Sequence, residues 1–157
     1  MKAEPRDASP EPGMEPAADQ ARRFGRARTA RATELLEDYA ELIADLLAAA
    51  GEARATDIAR RLGVSHVTAV KAIARLKREG LATARPYRGV FLTAEGEALA
   101  ARVRARHRLV VDLLVAVGVA REDAESDAEG IEHYVSDATL EAFARFLAGG
   151  KGMDKNC

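Results

Sequence analysis

The stretch Thr56-Asp57-Ile58-Ala59-Arg60-Arg61-Leu62-Gly63-Val64-Ser65-His66-Val67-Thr68-Ala69-Val70-Lys71 constrains this chain most, because it reads as two helices meeting at a sharp corner. Ile58, Ala59 and Leu62 make the buried stripe of a first helix over 56–62. Gly63 supplies the backbone freedom of a tight turn, Val64 plugs the corner, and Ser65 caps a second helix over 65–79 that Gly80 stops. Val67, Val70, Ile73 and Ala74 are expected to face inward. Ser65, Thr68, Ala69, Lys71, Ala72 and Arg75 are then left as an outer face, small and basic enough to approach base edges. Two short strands over 81–85 and 90–93 follow, joined by the turn sequence Pro86-Tyr87-Arg88-Gly89. Arg85, Tyr87 and Arg88 at that tip suit phosphates or the minor groove. The combination predicts a winged helix-turn-helix that binds DNA. The alternative is a helical hairpin used only for packing, which would leave the basic wing without a task.

Net charge is −1, which alone argues against a nucleic-acid partner, but its distribution reverses that reading. From Arg60 to Arg108 there are twelve Lys or Arg against three acids, so the rest of the chain carries the carboxylate excess. One half is built to meet an anion and the other to hold cations.

Around this core the chain divides simply. Residues 1–31 carry Pro5, Pro10, Pro12, Gly13 and Pro16 and read as a disordered arm, ending in the basic run Arg22 to Arg28. A helix over 34–50 keeps Leu35, Leu36, Tyr39, Leu42, Ile43, Leu46 and Leu47 in phase and completes a DNA-binding domain over 32–93. Thr93 can cap a long linker helix over 94–117. A short helical piece near 121–125, a helix opened by Ser126 and a last helix over 138–147 complete an all-helical domain over 94–148, with a polar tail over 149–157. The expected class is mostly α. The single cysteine, Cys157, excludes a disulfide scaffold and a cysteine-based zinc site. The stretch 109–120 is too short to span a bilayer, and a cytoplasmic setting without a membrane partner is expected.

Asp127-Ala128-Glu129-Gly130-Ile131-Glu132-His133 is the second informative segment. On a helix, Glu129, Glu132 and His133 fall at i, i+3 and i+4 and project from one face. Two carboxylates and an imidazole there suit a divalent ion that prefers oxygen with some nitrogen. Ser126-x-x-Glu129 also fits a capping box, in which Glu129 merely reaches back to the helix start. Asp38 and Glu41 share an edge of the first helix, and His107 lies in the inward row Val103, His107, Val110, Leu114, where a satisfied core histidine is the alternative to a ligand.

These segments together resemble the diphtheria-toxin-repressor family, and within it the manganese transport regulators. The likeness rests on Glu37 to Glu41, the Leu62-Gly63-Val64-Ser65 turn, Tyr87 to Thr93, Arg106-His107 and Asp127 to His133. The resemblance implies that Asp38, Glu41, His107, Glu129, Glu132 and His133 ligate Mn²⁺, two ions per subunit, in a homodimer whose C-terminal helices form the interface. It implies a repressor of manganese uptake genes that binds a palindromic operator in double-stranded DNA and takes no small organic substrate. Members of the iron branch carry cysteine where Glu129 stands and methionine where Asp38 stands. Four carboxylates and two imidazoles without sulfur favour a hard ion independently of any likeness. An iron-responsive member of the family and a metal-independent winged-helix regulator are the alternatives. An enzyme is not expected, since no substrate-binding signature accompanies the metal ligands.

Overall fold

The computed structural model describes residues 14–85 and 89–150, and for 26–32 the backbone alone. Its elements run α1 (Ala17–Ala50), α2 (Ala55–Leu62), α3 (His66–Arg78), β1 (Ala82–Arg85), β2 (Gly89–Leu92), α4 (Ala94–Ala116), α5 (Arg121–Ile131) and α6 (Asp137–Gly150). The mostly helical winged fold expected from the sequence is present. No helix among the described residues is long and apolar enough to cross a membrane.

The winged half is built on a core of Tyr39, Ile43 and Leu46 from α1, Ile58 and Ala59 from α2, Ala69, Ala72, Ile73 and Leu76 from α3, and Ala82 and Val90 from the wing. Ile58 and Leu76 are fully buried, each contributing about 1.5–3 kcal/mol. The exposed Arg60–Asp57 pair at 3.0 Å is worth at most about 1 kcal/mol, so apolar burial, not ion pairing, holds the corner. Gly63 takes the left-handed conformation at φ 66°, and the Ser65 hydroxyl accepts from the Thr68 amide at 3.1 Å, as a turn glycine and a cap should. β1 pairs antiparallel with β2, Ala82 opposite Leu92, and the Val90 amide donates to Ala53 O at 2.8 Å, which ties the wing to the α1–α2 connection.

Thr93 joins the halves. Its hydroxyl caps α4 by accepting from the Gly96 amide at 3.1 Å and donates to Gly80 O, just past α3, at 2.7 Å. α4 then packs against α1, α5 and α6. A second, smaller core forms where Val110 and Val111 of α4 meet Ala124 and Ala128 of α5, flanked by Leu114, Val115, Val119 and Leu140.

Three boundaries differ from expectation. The stretch 17–31 is not a disordered arm but the first half of α1, because no proline follows Pro16, which stands at the N-cap, and Ala and Arg favour helix. The earlier part of the arm, 1–13, lies outside the described residues. The comb is not a separate helix opened by Ser126. It ends a continuous α5 whose N-cap is Ala120, with Glu122 and Asp123 in the favourable first turn, so the capping-box alternative for Glu129 lapses. α6 runs on through Gly149–Gly150, and the polar tail beyond lies outside the described residues.

Candidate metal centre and nucleic-acid interface

α3 is the helix that the fold leaves free to read DNA, but its phase differs from the expected one. Ala69 (0% exposed) and Ala72 (5%) are core residues and cannot contact DNA, whereas Val67 (62%) and Val70 (45%) are exposed, as is Ala74. The buried row is Ala69, Ala72, Ile73 and Leu76, spaced i, i+3, i+4, i+7. Side-chain size misleads here: Ala69 and Ala72 pack with Ile73 and Leu76 in the core shared with α1 and α2, and the larger valines stay outside it. Ser65, Thr68 and Lys71 are exposed as expected, with the first two bonded to each other at 2.8 Å, and Arg75 is half-buried. On the wing, Arg85 is exposed and stacks its guanidinium 5.2 Å over the Phe91 ring. Tyr87 and Arg88 lie outside the described residues.

The six candidate ligands come together where α1, α4 and the end of α5 meet. An open cleft of about 600 Å³ is lined by Asp38 and Glu41 from α1, His107 from α4, Glu129 and His133 from the comb, and Leu62 from α2. Glu132 lies behind them, 2% exposed. His107 Nδ1 stands 2.8 Å from Glu132 Oε2 and 3.8 Å from Glu129 Oε1. His133 Nε2 stands 3.4 Å from Asp38 Oδ1 and 3.6 Å from Glu132 Oε1. Among the described residues no three such groups already form a closed metal-holding set, because each imidazole nitrogen is turned onto a carboxylate. In this arrangement both imidazoles face the clustered carboxylates, which favour their charged forms.

Two participants have no local sequence signal. Glu37, one residue before Asp38, accepts from Arg106 Nη1 at 3.1 Å and Nη2 at 2.5 Å and from His133 Nδ1 at 2.8 Å. It fixes the His133 ring so that Nε2 faces Asp38 and Glu132, the role a carboxylate plays behind a metal-binding imidazole. Glu125 takes the outer side of His107, Nε2 to Oε2 at 3.0 Å. Their partners are 69 and 18 residues away, beyond any helical periodicity.

The electrostatics follow from this crowding. Hydrogen bonds to Asp38 and Glu37 outweigh burial and push His133 up to about 10. Burial opposes the charged form of His107, but its bonds to Glu125 and Glu132 prevail and raise it. Burial would raise Glu37, yet His133 and Arg106 pull it down to about 2. Burial pushes Glu132 up against the pull of His107, and burial with the charges of Asp45 and Glu129 raises Glu41 despite Arg104. The donor set therefore fits a divalent ion: hard oxygens and imidazole nitrogens, an excess of negative charge, and protons for it to displace.

A pH dependence follows for the metal-free protein. The raised His133 stabilises the fold fully below its ordinary value of 6.5, and that stability is lost as pH rises towards about 10. The depressed Glu37 contributes fully above 4.5 and is lost as pH falls towards about 2. The raised carboxyls of Glu41 and Glu132 stabilise the fold fully below 4.5 and lose that contribution as pH rises from there. Urea unfolding with chelator present should show stability falling as pH drops below 4.5 and falling again as pH rises above 6.5. Stability that climbs steadily to pH 9 would contradict this account of the site.

Residues 32–90 match the family profile described as "Iron dependent repressor, N-terminal DNA binding domain", and residues 93–151 match "Iron dependent repressor, metal binding and dimerisation domain". The chain is 52% identical over 123 residues to the transcriptional regulator MntR of Escherichia coli O157:H7, covering 78% of this chain and 79% of that one. It is 38% identical over 112 residues to the HTH-type transcriptional regulator MntR of Lysinibacillus sphaericus, covering 71% and 81%. Among solved structures it is similar to the manganese regulator SloR, with TM-score 0.63 and 29% identity over 72% of this chain and 53% of that one. A manganese-dependent transcriptional repressor in complex with manganese matches with TM-score 0.60 and 30% identity, over 72% and 52%. The present chain thus spans about half the length of those two solved chains. It belongs to the iron-dependent repressor family of metal-binding, DNA-binding transcriptional regulators, and is related within it to the MntR regulators.

Proposed function

We propose that the chain is a manganese-responsive repressor, in which Asp38, Glu41, His107, Glu129, Glu132 and His133 hold two Mn²⁺ ions per subunit and so favour binding to a palindromic operator. The observation that carries this reading is the position of the carboxylate–imidazole lattice. Asp38 and Glu41 belong to α1, whose other residues pack directly on α3, while His107, Glu132 and His133 belong to the helical half. Bound there, manganese supplies the positive charge that lets these carboxylates approach one another. Holding all six side chains together locks α1, and with it α3, against α4.

The same lattice limits which ion fits. Neither the cysteine nor the methionine of the iron branch stands at Glu129 or Asp38, and the four carboxylates favour hard ions. Exposed apolar residues at the C-terminal end, Phe146 at 53% and Val117 at 60%, support a homodimer formed by the helical domain, with 32–93 as the DNA-binding unit and 94–148 as the metal-binding and dimerisation unit. A two-fold dimer presents two copies of α3 and therefore matches half-sites about one helical turn apart or a multiple of it. The relatives are transcriptional regulators, and regulation without catalysis is the reading we adopt.

DNA affinity measured against a panel of divalent metals tests this proposal, with parent and the double variant Glu129→Cys, Asp38→Met. The parent should gain affinity with Mn²⁺. The variant, offering thiolate and thioether, should lose its manganese response relative to Fe²⁺ or Co²⁺. A parent whose DNA binding ignores every metal would refute it.

A further inference from the structure

The imidazole of His107 is held from two sides. Its Nδ1 stands 2.8 Å from Glu132 Oε2 and 3.8 Å from Glu129 Oε1, while its Nε2 stands 3.0 Å from Glu125 Oε2. Glu125, Glu129 and Glu132 fall at i, i+4 and i+7, so one face of α5 and its C-cap surrounds a single ring on α4. The other oxygen of Glu125 accepts from Arg121 Nη1 at 3.4 Å, one turn earlier on α5. Contacts thus run in a chain through Arg121, Glu125, His107 and Glu132, from the surface to a carboxylate that is 2% exposed. Glu125 does not line the cleft, and it meets the ring on the side away from Glu129 and Glu132. An exposed pair with Arg121 contributes almost nothing by itself and does not account for the bond across to α4.

We propose that Glu125 is a positioning residue for the metal centre, which holds the Nε2–H of His107 and so makes Nδ1 the nitrogen offered to the ion. An imidazole ligates through one nitrogen, and the hydrogen bond made by the other fixes its tautomer and the orientation of the ring. Both proposed oxygen ligands nearest His107, Glu129 and Glu132, stand on the Nδ1 side. Nε2 lies farther along the side chain than Nδ1, so a ring turned over would place an ion at a different distance from α4. Only one of those distances suits oxygens already set by α1 and α5. His133 is set in the opposite sense: Glu37 takes its Nδ1 at 2.8 Å and leaves Nε2 to Asp38 and Glu132. Each histidine is therefore oriented by a carboxylate outside the six proposed ligands. This role for Glu125 deepens the manganese proposal and rests on it.

Titrations of the full chain with Mn²⁺, and with Cd²⁺ as a diamagnetic probe of the same site, test the assignment. Glu125→Ala should bind Mn²⁺ about tenfold more weakly than the parent, the lower end of the range for such outer carboxylates, because Glu125 is half exposed and water takes over part of its role. Glu125→Gln, whose amide oxygen still accepts from Nε2–H, should stay within about twofold of the parent. Nitrogen NMR spectra of the Cd²⁺-loaded parent should show His107 ligated through Nδ1 and protonated at Nε2. In chelator, the Nε2 proton should exchange with water more slowly in the parent than in Glu125→Ala. Parent-like affinity in the alanine variant would overturn the assignment, as would ligation through Nε2 in the parent. A glutamine variant as weak as the alanine one would also overturn it, by showing that charge matters and the hydrogen bond does not. Affinity for a duplex selected from a randomised pool reads the regulatory proposal separately. Indifference to Mn²⁺ there would sink that proposal alone, and the titrations would still decide the role of Glu125.

Discussion

Glu132→Gln is expected to lower manganese affinity by about tenfold or more and to collapse the manganese-dependent gain in DNA affinity, while the protein stays folded. The glutamine keeps the volume of a side chain that is 2% exposed and can still accept from His107 Nδ1, now 2.8 Å away. It lacks the anionic charge that Glu132 places between both imidazoles, His133 Nε2 standing 3.6 Å from its other oxygen. The alanine variant is a poorer probe, because removing one partner from a buried charged pair costs about 3–5 kcal/mol and confounds folding with ligation. Calorimetric titration with Mn²⁺ and a duplex-binding assay read both effects. His66→Ala is the control: His66 stands at the start of α3, away from the cleft, and its replacement should leave manganese stoichiometry unchanged. Parent-like manganese binding by the glutamine variant would remove Glu132 from the site.

Gly96→Ala should destabilise the protein by about 2 kcal/mol or more, although helix propensity alone predicts a gain of about 1 kcal/mol in α4. A Cβ at this position would lie 2.0 Å from Leu81 O and 3.1 Å from a Leu92 methyl. The Leu81 carbonyl cannot simply move aside, since it accepts from the Thr93 amide at 3.0 Å and so closes the base of the wing. The first turn of α4 would have to shift against the winged half. Thermal unfolding should show a transition several degrees lower, and an unchanged or raised transition would mean that α4 and the wing are not in this close contact. The same shift would disturb the register between α3 and His107, so the surviving folded protein should also respond less to manganese.

How much of this was legible in the sequence depended on whether the signal was local. The corner at Gly63-Val64-Ser65, the wing strands and the Thr93 cap are encoded within a few residues of themselves, and the structure places them as read. The rotation of α3 was misjudged because Val67 and Val70 compete in sequence with Ala69 and Ala72 for the inward phase. The core shared with α1 and α2 takes the small residues together with Ile73 and Leu76. The length of α1 was hidden by its proline-rich preamble, which ends abruptly at Pro16. In the cleft, the i, i+3, i+4 spacing and the family likeness pointed to Glu129, Glu132 and His133, and the structure brings these to Asp38, Glu41 and His107 from α1 and α4. Glu37 and Arg106 lay within the segments that carried the likeness, but no role was read for them, because their pairing joins α1 to α4 and leaves no spacing to recognise.

Coupling between metal and DNA is the central claim, and thermodynamic reciprocity offers its most direct measurement. The affinity of the full chain for its pool-selected duplex is measured in chelator and in saturating Mn²⁺, and its affinity for Mn²⁺ with and without saturating duplex. The account predicts that both affinities rise by one and the same factor, in the range of about 5–150-fold usual for coupled sites. Equal duplex affinity in chelator and in Mn²⁺ would contradict it.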